Sequence, residues 1–391
     1  MTHPACQSLS ILGAFFLGGT SLCAQQETPS TPAEWTIFRG NPAMTGVIDA
    51  DFPPGKLELA WTFETKKRGT GKVPPPIVAT PVVKDGRLYV GNGDGFFHCL
   101  ELATGKEVWQ HNTDDVIEGS AVLIGDLVVF GCGDSFVYAL DRATGEERWK
   151  FETYGEVLGS ANAFTDEESG KDRVVIGSYD ASAYCLDAET GKKLWDYETG
   201  NQVNGGVGVA AGRAMFGGCD GFIYVVKTRN GVLERKVEVA SYIPNTVVVD
   251  KGIAYVGHYG NKVEAYDLES GDQVWEFLDR DFAYFSSPAL TPTHLFIGGR
   301  DKRMHCIDRV TGKQSWEFRA RDRIDSSPLV CGGKTVYFGD DDGFLYAVDA
   351  GSGKEMWEYE IGSGIRSSPV IVGDTLLIAA DDGVVYAFRS K

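Results

Sequence analysis

A glycine turn followed four residues later by tryptophan recurs along this chain, and the recurrence governs what the chain can fold into. The copies read ATGKEVW to Trp109, ATGEERW to Trp149, ETGKKLW to Trp195, ESGDQVW to Trp275, VTGKQSW to Trp316 and GSGKEMW to Trp357. A degenerate copy, RNGVLER, puts Arg235 in the tryptophan column, and Trp61 in KLELAWTFE stands there with no turn before it. From Trp61 onward the column advances by 48, 40, 46, 40, 40, 41 and 41 residues. A period of about forty residues marks a repeated supersecondary unit that buries its apolar face against its neighbours.

Each unit has the same internal order. Before and through Trp357 the chain reads RIDSSPLV, a Gly-Gly turn, KTVYFG, the turn DDDG, FLYAVDA, the turn GSGK and EMWEYE. Apolar and polar residues alternate within these segments, and Gly, Asp and Ser separate them, which is the signature of four short antiparallel strands joined by tight turns. Repetition of such a sheet leaves a radial propeller or an open stack. The chain ends discriminate. After Trp357 only 34 residues remain, carrying three strands (SSPVIV, DTLLIAA, VVYAFRS) and no tryptophan strand, whereas the Trp61 strand has no three strands before it. Joining the two fragments closes a ring and removes free sheet edges. The expectation is an all-β, eight-bladed propeller of four-stranded antiparallel blades, closed by the N-terminal Trp61 strand.

The column tryptophans Trp61, Trp109, Trp149, Trp195, Trp275, Trp316 and Trp357 read as blade-docking residues. A large flat ring on the outermost strand covers the joint with the next sheet, and its N–H seeks an acceptor there. Cys99, Cys185 and Cys306 occupy a column held elsewhere by Ala139, Ala347 and Ala387, so they read as small core residues rather than a disulfide framework. His98-Cys99 and His305-Cys306 share one repeat column in separate blades, and consecutive strand residues face opposite ways, so no metal site is expected from them.

The repeat in YALDRATGEERW and YAVDAGSGKEMW resembles the tryptophan-docking motif of the pyrroloquinoline quinone (PQQ) repeat. That repeat occurs in eight-bladed quinoprotein dehydrogenases and in the BamB lipoproteins of outer-membrane protein assembly. The opening segment EWTIFRGNPAMTGV before LELAWTFE is similar to the start of those chains. The resemblance covers about residues 35 to 391 and implies the fold strongly, but it describes how blades dock and says little about what the mouth of the ring binds.

Residues 1–24 hold no Lys, Arg, Asp or Glu and carry an apolar run from Leu9 to Leu17, too short for a transmembrane anchor. They read as a signal peptide for export to the periplasm or cell envelope. Cys23 raises lipidation as in BamB, against which Thr20, Ser21 and Leu22 depart from the usual small-residue box. Residues 25–54 form a tether and opening segment, and 55–391 the propeller. A net charge of −18 argues against nucleic acid as a partner. A monomer is expected, within a complex or alone.

Function is expected on the face where each blade's outermost strand returns to the innermost strand of the next, together with the Asp-containing turns between second and third strands. One column there, Val78, Glu118, Leu158, Asn204, Pro244, Phe285, Asp325 and Arg366, should ring the mouth, with Asp325 and Arg366 near enough to pair. In the quinoprotein reading implied by the resemblance, Glu118, Asn204 and Asp325 offer oxygens to a Ca²⁺ that supports PQQ, and Asp325 is the candidate base. The vicinal Cys pair and the pocket-building insertions of such enzymes are absent. The preferred reading is a non-catalytic scaffold, without cofactor or metal, that receives a protein or peptide on the loop face. The repeat is least regular around blades 4 and 5, where Tyr242, Ile243, Phe282, Tyr284 and Phe285 suggest an apolar docking patch.

Overall fold

The computed structural model describes Met1 and residues 34–390, apart from Lys56, Lys67, 69–73 and Ala240. The signal-peptide and Cys23 expectations, and most of the tether, lie outside these residues. The rest forms eight sheets of four antiparallel strands in sequence order. Blades 1 to 7 span 82–112, 122–152, 162–198, 208–238, 248–277, 289–319 and 329–360. Blade 8 combines three C-terminal strands with Leu57–Glu64, which pairs antiparallel with Val384–Ser390 and sets Trp61 opposite Ala387.

Burial explains the composition of each strand position. The second strands are buried over their last four residues, and Leu127–Gly131 and Thr335–Gly339 at every residue, because neighbouring blades cover both faces. The outermost strands, such as Glu147–Glu152, alternate between exposed and covered side chains, since one face meets water. Cys99, Cys185 and Cys306 sit opposite Trp109, Trp195 and Trp316 in register, buried and unpaired.

The column tryptophans act as the repeat implies. Trp109, Trp149, Trp195, Trp275 and Trp316 donate their indole N–H across the joint to the carbonyls of Arg142, Ala188, Thr228, Arg309 and Ala350, and Trp61 does so to Leu102. Each of these carbonyls lies three residues before the turn glycine of the next blade, and a Cβ on that glycine would strike the ring. The turn glycine and the tryptophan therefore recur together because one is the seat of the other, in neighbouring blades. Trp357 has no such turn ahead of it and packs on Phe388 and Tyr359.

The channel through the ring is filled by the opening segment. Trp35 bonds in both directions with Val83 of blade 1, and the carbonyls of Thr36, Pro42, Thr45 and Gly46 accept from Leu123, Val209, Leu290 and Val330 of blades 2, 4, 6 and 7. Val47–Ile48 then adds a parallel fifth strand to blade 7. Arg39 is wholly buried in this plug and donates to the carbonyls of Pro288 and Pro328 at 2.7 and 2.5 Å. Burial disfavours its charge, and the two carbonyls offset part of that cost.

Candidate functional site

Backbone geometry puts two kinds of loop on one face. In each blade the middle residue of the turn between second and third strands donates its N–H to the loop that leads into that joint. Gly93, Gly133, Tyr179, Cys219, Tyr259, Arg300, Asp341 and Asp381 donate to the carbonyls of Pro76, Val116, Glu156, Gln202, Tyr242, Ala283, Arg323 and Gly364. These residues form a second column around the mouth. It is readable from the sequence as the position just before the turn Asp, a position that tight-turn logic alone leaves unremarked.

Seven of the eight first-column residues line one cavity, and Asp325 is not among its lining residues. Val78, Glu118, Leu158, Asn204, Pro244, Phe285 and Arg366 line an open funnel of 140 Å³ together with Phe38 of the plug. Two residues further along the chain lies a ring of hydroxyls. The N–H groups of Thr80, Ser120, Gly206, Thr246, Ser287 and Ser368 donate to the hydroxyls of Ser120, Ser160, Thr246, Ser287, Ser327 and Thr80 in the adjoining blade. The second Ser of the Ser-Ser pair thus ties blade to blade.

Asp325 and Arg366 do not pair with one another. Arg300 holds Asp325 in a fork at 3.0 and 2.7 Å, and Arg366 bonds Asp381 at 2.9 Å. In both cases the partner is the second-column residue of the preceding or same blade, which is nearer than the first-column residue of the neighbour. Arg323 likewise binds Asp341. Burial raises the Asp341 pKa; Arg323 opposes this, while Asp325 and Asp381 add to it. Glu118 is also raised, by its setting within the funnel and by Glu156, against the pull of Arg366.

The mouth has a charged half and an aromatic half. Tyr242 lies 6.2 Å from Tyr259, Tyr259 lies 4.7 Å from Phe285, and the Arg300 guanidinium sits 3.4 Å over the Phe285 ring. Tyr179 donates to Asn204 Oδ1 at 2.6 Å, and burial pushes its hydroxyl up to about 12. Tyr242 and Phe282 are exposed, at 57% and 49%.

Ile243 and Tyr284 do not belong to that patch, because both are buried. They share a column with Ile117, Val157, Val203, Ile324 and Ile365, one residue before the mouth column. Each packs on the glycine that ends a second strand, and a Cβ on Gly217 or Gly257 would approach Ile243 or Tyr284 to 2.6 Å. The Ile/Val character of that column was the signal for a packing role. Two exposed mouth-face aromatics lay outside the sequence expectation: Tyr154, in the loop leading into blade 3, and Tyr259, in the turn of blade 5.

His258, which the sequence places alone in a turn, is buried with Nε2 3.1 Å from Glu264 Oε2. Blade 5 has Gly260 where other turns carry Asp, and Glu264 where blades 2, 3, 4 and 8 carry a Tyr that bonds that Asp, as in Tyr138 to Asp134 and Tyr184 to Asp180. The His258–Glu264 pair, with Tyr266 donating to Glu264 at 2.6 Å, replaces that link. In blade 6, Asp279, His305 and Glu317 bring ligand atoms within 4.8 Å of one another. The Arg280 guanidinium already stands among them, 3.3 Å from Asp301 and 3.4 Å from Glu317, and supplies the positive charge.

The family model described as outer membrane protein assembly factor BamB matches residues 55–199, 179–291 and 300–391. The chain belongs to that family. Among solved structures, BamB from Moraxella catarrhalis is similar at 19% identity and a TM-score of 0.70, covering 86% of this chain and 98% of that one. The computationally designed Ika8 protein has a TM-score of 0.70 at 16% identity, covering 81% and 98%. A quinohemoprotein alcohol dehydrogenase from Pseudomonas putida has a TM-score of 0.74 at 13% identity, covering 92% and 80%. At these identities the likeness is one of fold, which BamB shares with an enzyme. No curated protein sequence matches the chain.

Proposed function

We propose that the chain is a non-catalytic, BamB-like scaffold of the cell envelope that docks a protein segment on its mouth face. One observation carries the choice of face. Among the described residues, the exposed large aromatic side chains Tyr154, Tyr242, Tyr259 and Phe282 all stand on mouth-face loops. Aromatic side chains that stand in water on one face of a protein concentrate binding energy there, since tyrosine and phenylalanine supply large contact area with little entropy to lose. Membership of the BamB family supports the envelope setting.

The quinoprotein alternative fits the mouth poorly. Asp325, its candidate base, is forked to Arg300, and Asn204 Oδ1 already accepts from Tyr179. A funnel of 140 Å³, with Phe38 among its lining residues, is small beside the roughly 300–1,000 Å³ of sites that enclose a cofactor-sized molecule. We therefore expect neither quinone absorbance nor dye reduction when PQQ and Ca²⁺ are added with an alcohol; turnover would overturn the scaffold reading. Its positive test is capture from an envelope extract. Tyr242→Ala with Phe282→Ala should abolish specific capture while leaving the melting temperature within about 2 °C, because neither ring is in the core. Unchanged capture would remove the patch.

A further inference from the structure

The turn glycines of the repeat are seats for indole rings, and one seat is bare. Trp61, Trp109, Trp149, Trp195, Trp275 and Trp316 lie on Gly105, Gly145, Gly191, Gly231, Gly312 and Gly353, with the ring 2.5–2.9 Å from where a Cβ would stand. Gly271 has the same left-handed backbone, φ +85°, but no atom lies within 4 Å of its Cβ position. The residue that should cover it is Arg235. Its guanidinium keeps the hydrogen-bonding half of the tryptophan's role, donating to the carbonyls of Leu268, at 3.2 Å, and Glu269. The ring itself is missing. Beside the seat an open groove of 590 Å³, which does not reach Gly271, is lined by Val225, Leu233 and Leu268 together with the charged Arg213, Lys227, Glu234, Arg235 and Glu269. The equivalent groove between blades 1 and 2, where Tyr89 and Arg142 meet at the Trp109 joint, encloses 490 Å³.

We propose that the bare seat over Gly271 binds an indole, the tryptophan side chain of a partner polypeptide. The molecule itself shows what the seat fits, since at six other joints among the described residues an indole lies on the same glycine turn. Arg235 offers a cation at the edge of the seat, and tryptophan is the best aromatic partner for a guanidinium. Leu233, two residues before Arg235 on the same strand and 39% exposed, adds apolar surface at that edge. The ring must come from another protein. Of the eight tryptophans six already lie on glycine turns, Trp357 packs on Tyr359 and Phe388, and Trp35 is buried in the channel plug, so every indole of a second copy of this chain is already packed within that copy. The seat lies at the turn between third and fourth strands, on the face opposite the mouth, and its occupancy is independent of the mouth reading.

The test is a titration of isotope-labelled protein with N-acetyl-tryptophanamide, following backbone amide signals. Gly271 and its neighbours should shift and saturate, and N-acetyl-leucinamide should leave them in place. Arg235→Trp, which supplies the ring from within, should abolish the shift and raise the melting temperature. Arg235→Leu, which leaves the seat open but removes the cation, should weaken binding without abolishing it. No saturable shift at Gly271, an equal response to the leucine compound, or undiminished binding by folded Arg235→Trp would each overturn the proposal. Should Arg235→Trp fail to fold, the comparison of the two amides on the parent protein decides it.

Discussion

Trp149 of blade 2 lies on Gly191 of blade 3. Its indole N–H reaches Ala188 O at 2.9 Å, and its ring comes within 2.6 Å of the space a Cβ on Gly191 would need. Removal of that ring leaves a cavity at the joint and a buried carbonyl without its donor. Trp149→Ala should cost about 3–5 kcal/mol, read as a lower midpoint in urea unfolding; a change below about 1 kcal/mol would mean that the joint is held by other contacts.

The same relationship separates two glycines that look alike in sequence. Gly191→Ala must displace the Trp149 ring as well as strain a backbone at φ +68°. Gly271→Ala meets only the backbone strain, at φ +85°, because nothing stands over it. That strain alone amounts to about 1–2 kcal/mol. Unfolding midpoints should therefore rank Gly191→Ala well below Gly271→Ala, and equal midpoints would contradict the indole-seat account.

Neighbouring residues in the loop into blade 5 should behave oppositely. Ile243 is buried against Gly217, whereas Tyr242 is exposed. Ile243→Ala should destabilise by about 2–5 kcal/mol, and Tyr242→Ala by less than about 0.5 kcal/mol. Thermal denaturation of the two variants reads the difference, and similar values would place both residues in the patch or both in the core.

The repeat made the fold legible because packing is what a period encodes. Trp61 to Trp357 gave the blade count, and the incomplete last unit showed how the N-terminal strand had to be used. The mouth column was legible for the same reason, as a position counted from Ser-Ser. What escaped was the pairing of charges. Asp325 turns to Arg300 rather than Arg366 because the second mouth column, set by turn geometry within each blade, interposes a nearer partner. Ile243 and Tyr284 look like surface residues by the local irregularity of their loops, but they belong to the Ile/Val column, whose side chains pack on the second-strand glycines. The plug was hidden because its contacts are backbone bonds from residues 35–48 to five different blades, which no local pattern announces.

The buried pair in blade 5 predicts a pH dependence. Burial by itself would raise the Glu264 pKa, but the bonds from His258 and Tyr266 outweigh it and hold the group below its usual value. A depressed carboxyl contributes stability above the unfolded-state pKa, about 4.5, and loses it as pH falls through the folded value. Glu264→Gln should therefore be less stable than the parent at neutral pH, with the gap narrowing below about pH 4.5. A gap that stays constant from about pH 7 to 3 would show that Glu264 acts through packing alone.

The central claim is that a partner docks on the mouth face, and site-specific photo-crosslinking tests it most directly. A photoreactive side chain at Tyr259, on the mouth, is compared with one at Val310, which is 80% exposed in the blade 6 turn on the opposite face. Both variants are expressed in cells and irradiated. The account predicts a discrete adduct from position 259 that disappears in the Tyr242→Ala, Phe282→Ala background, and none of that mass from position 310. An adduct from 310 with none from 259 would contradict it.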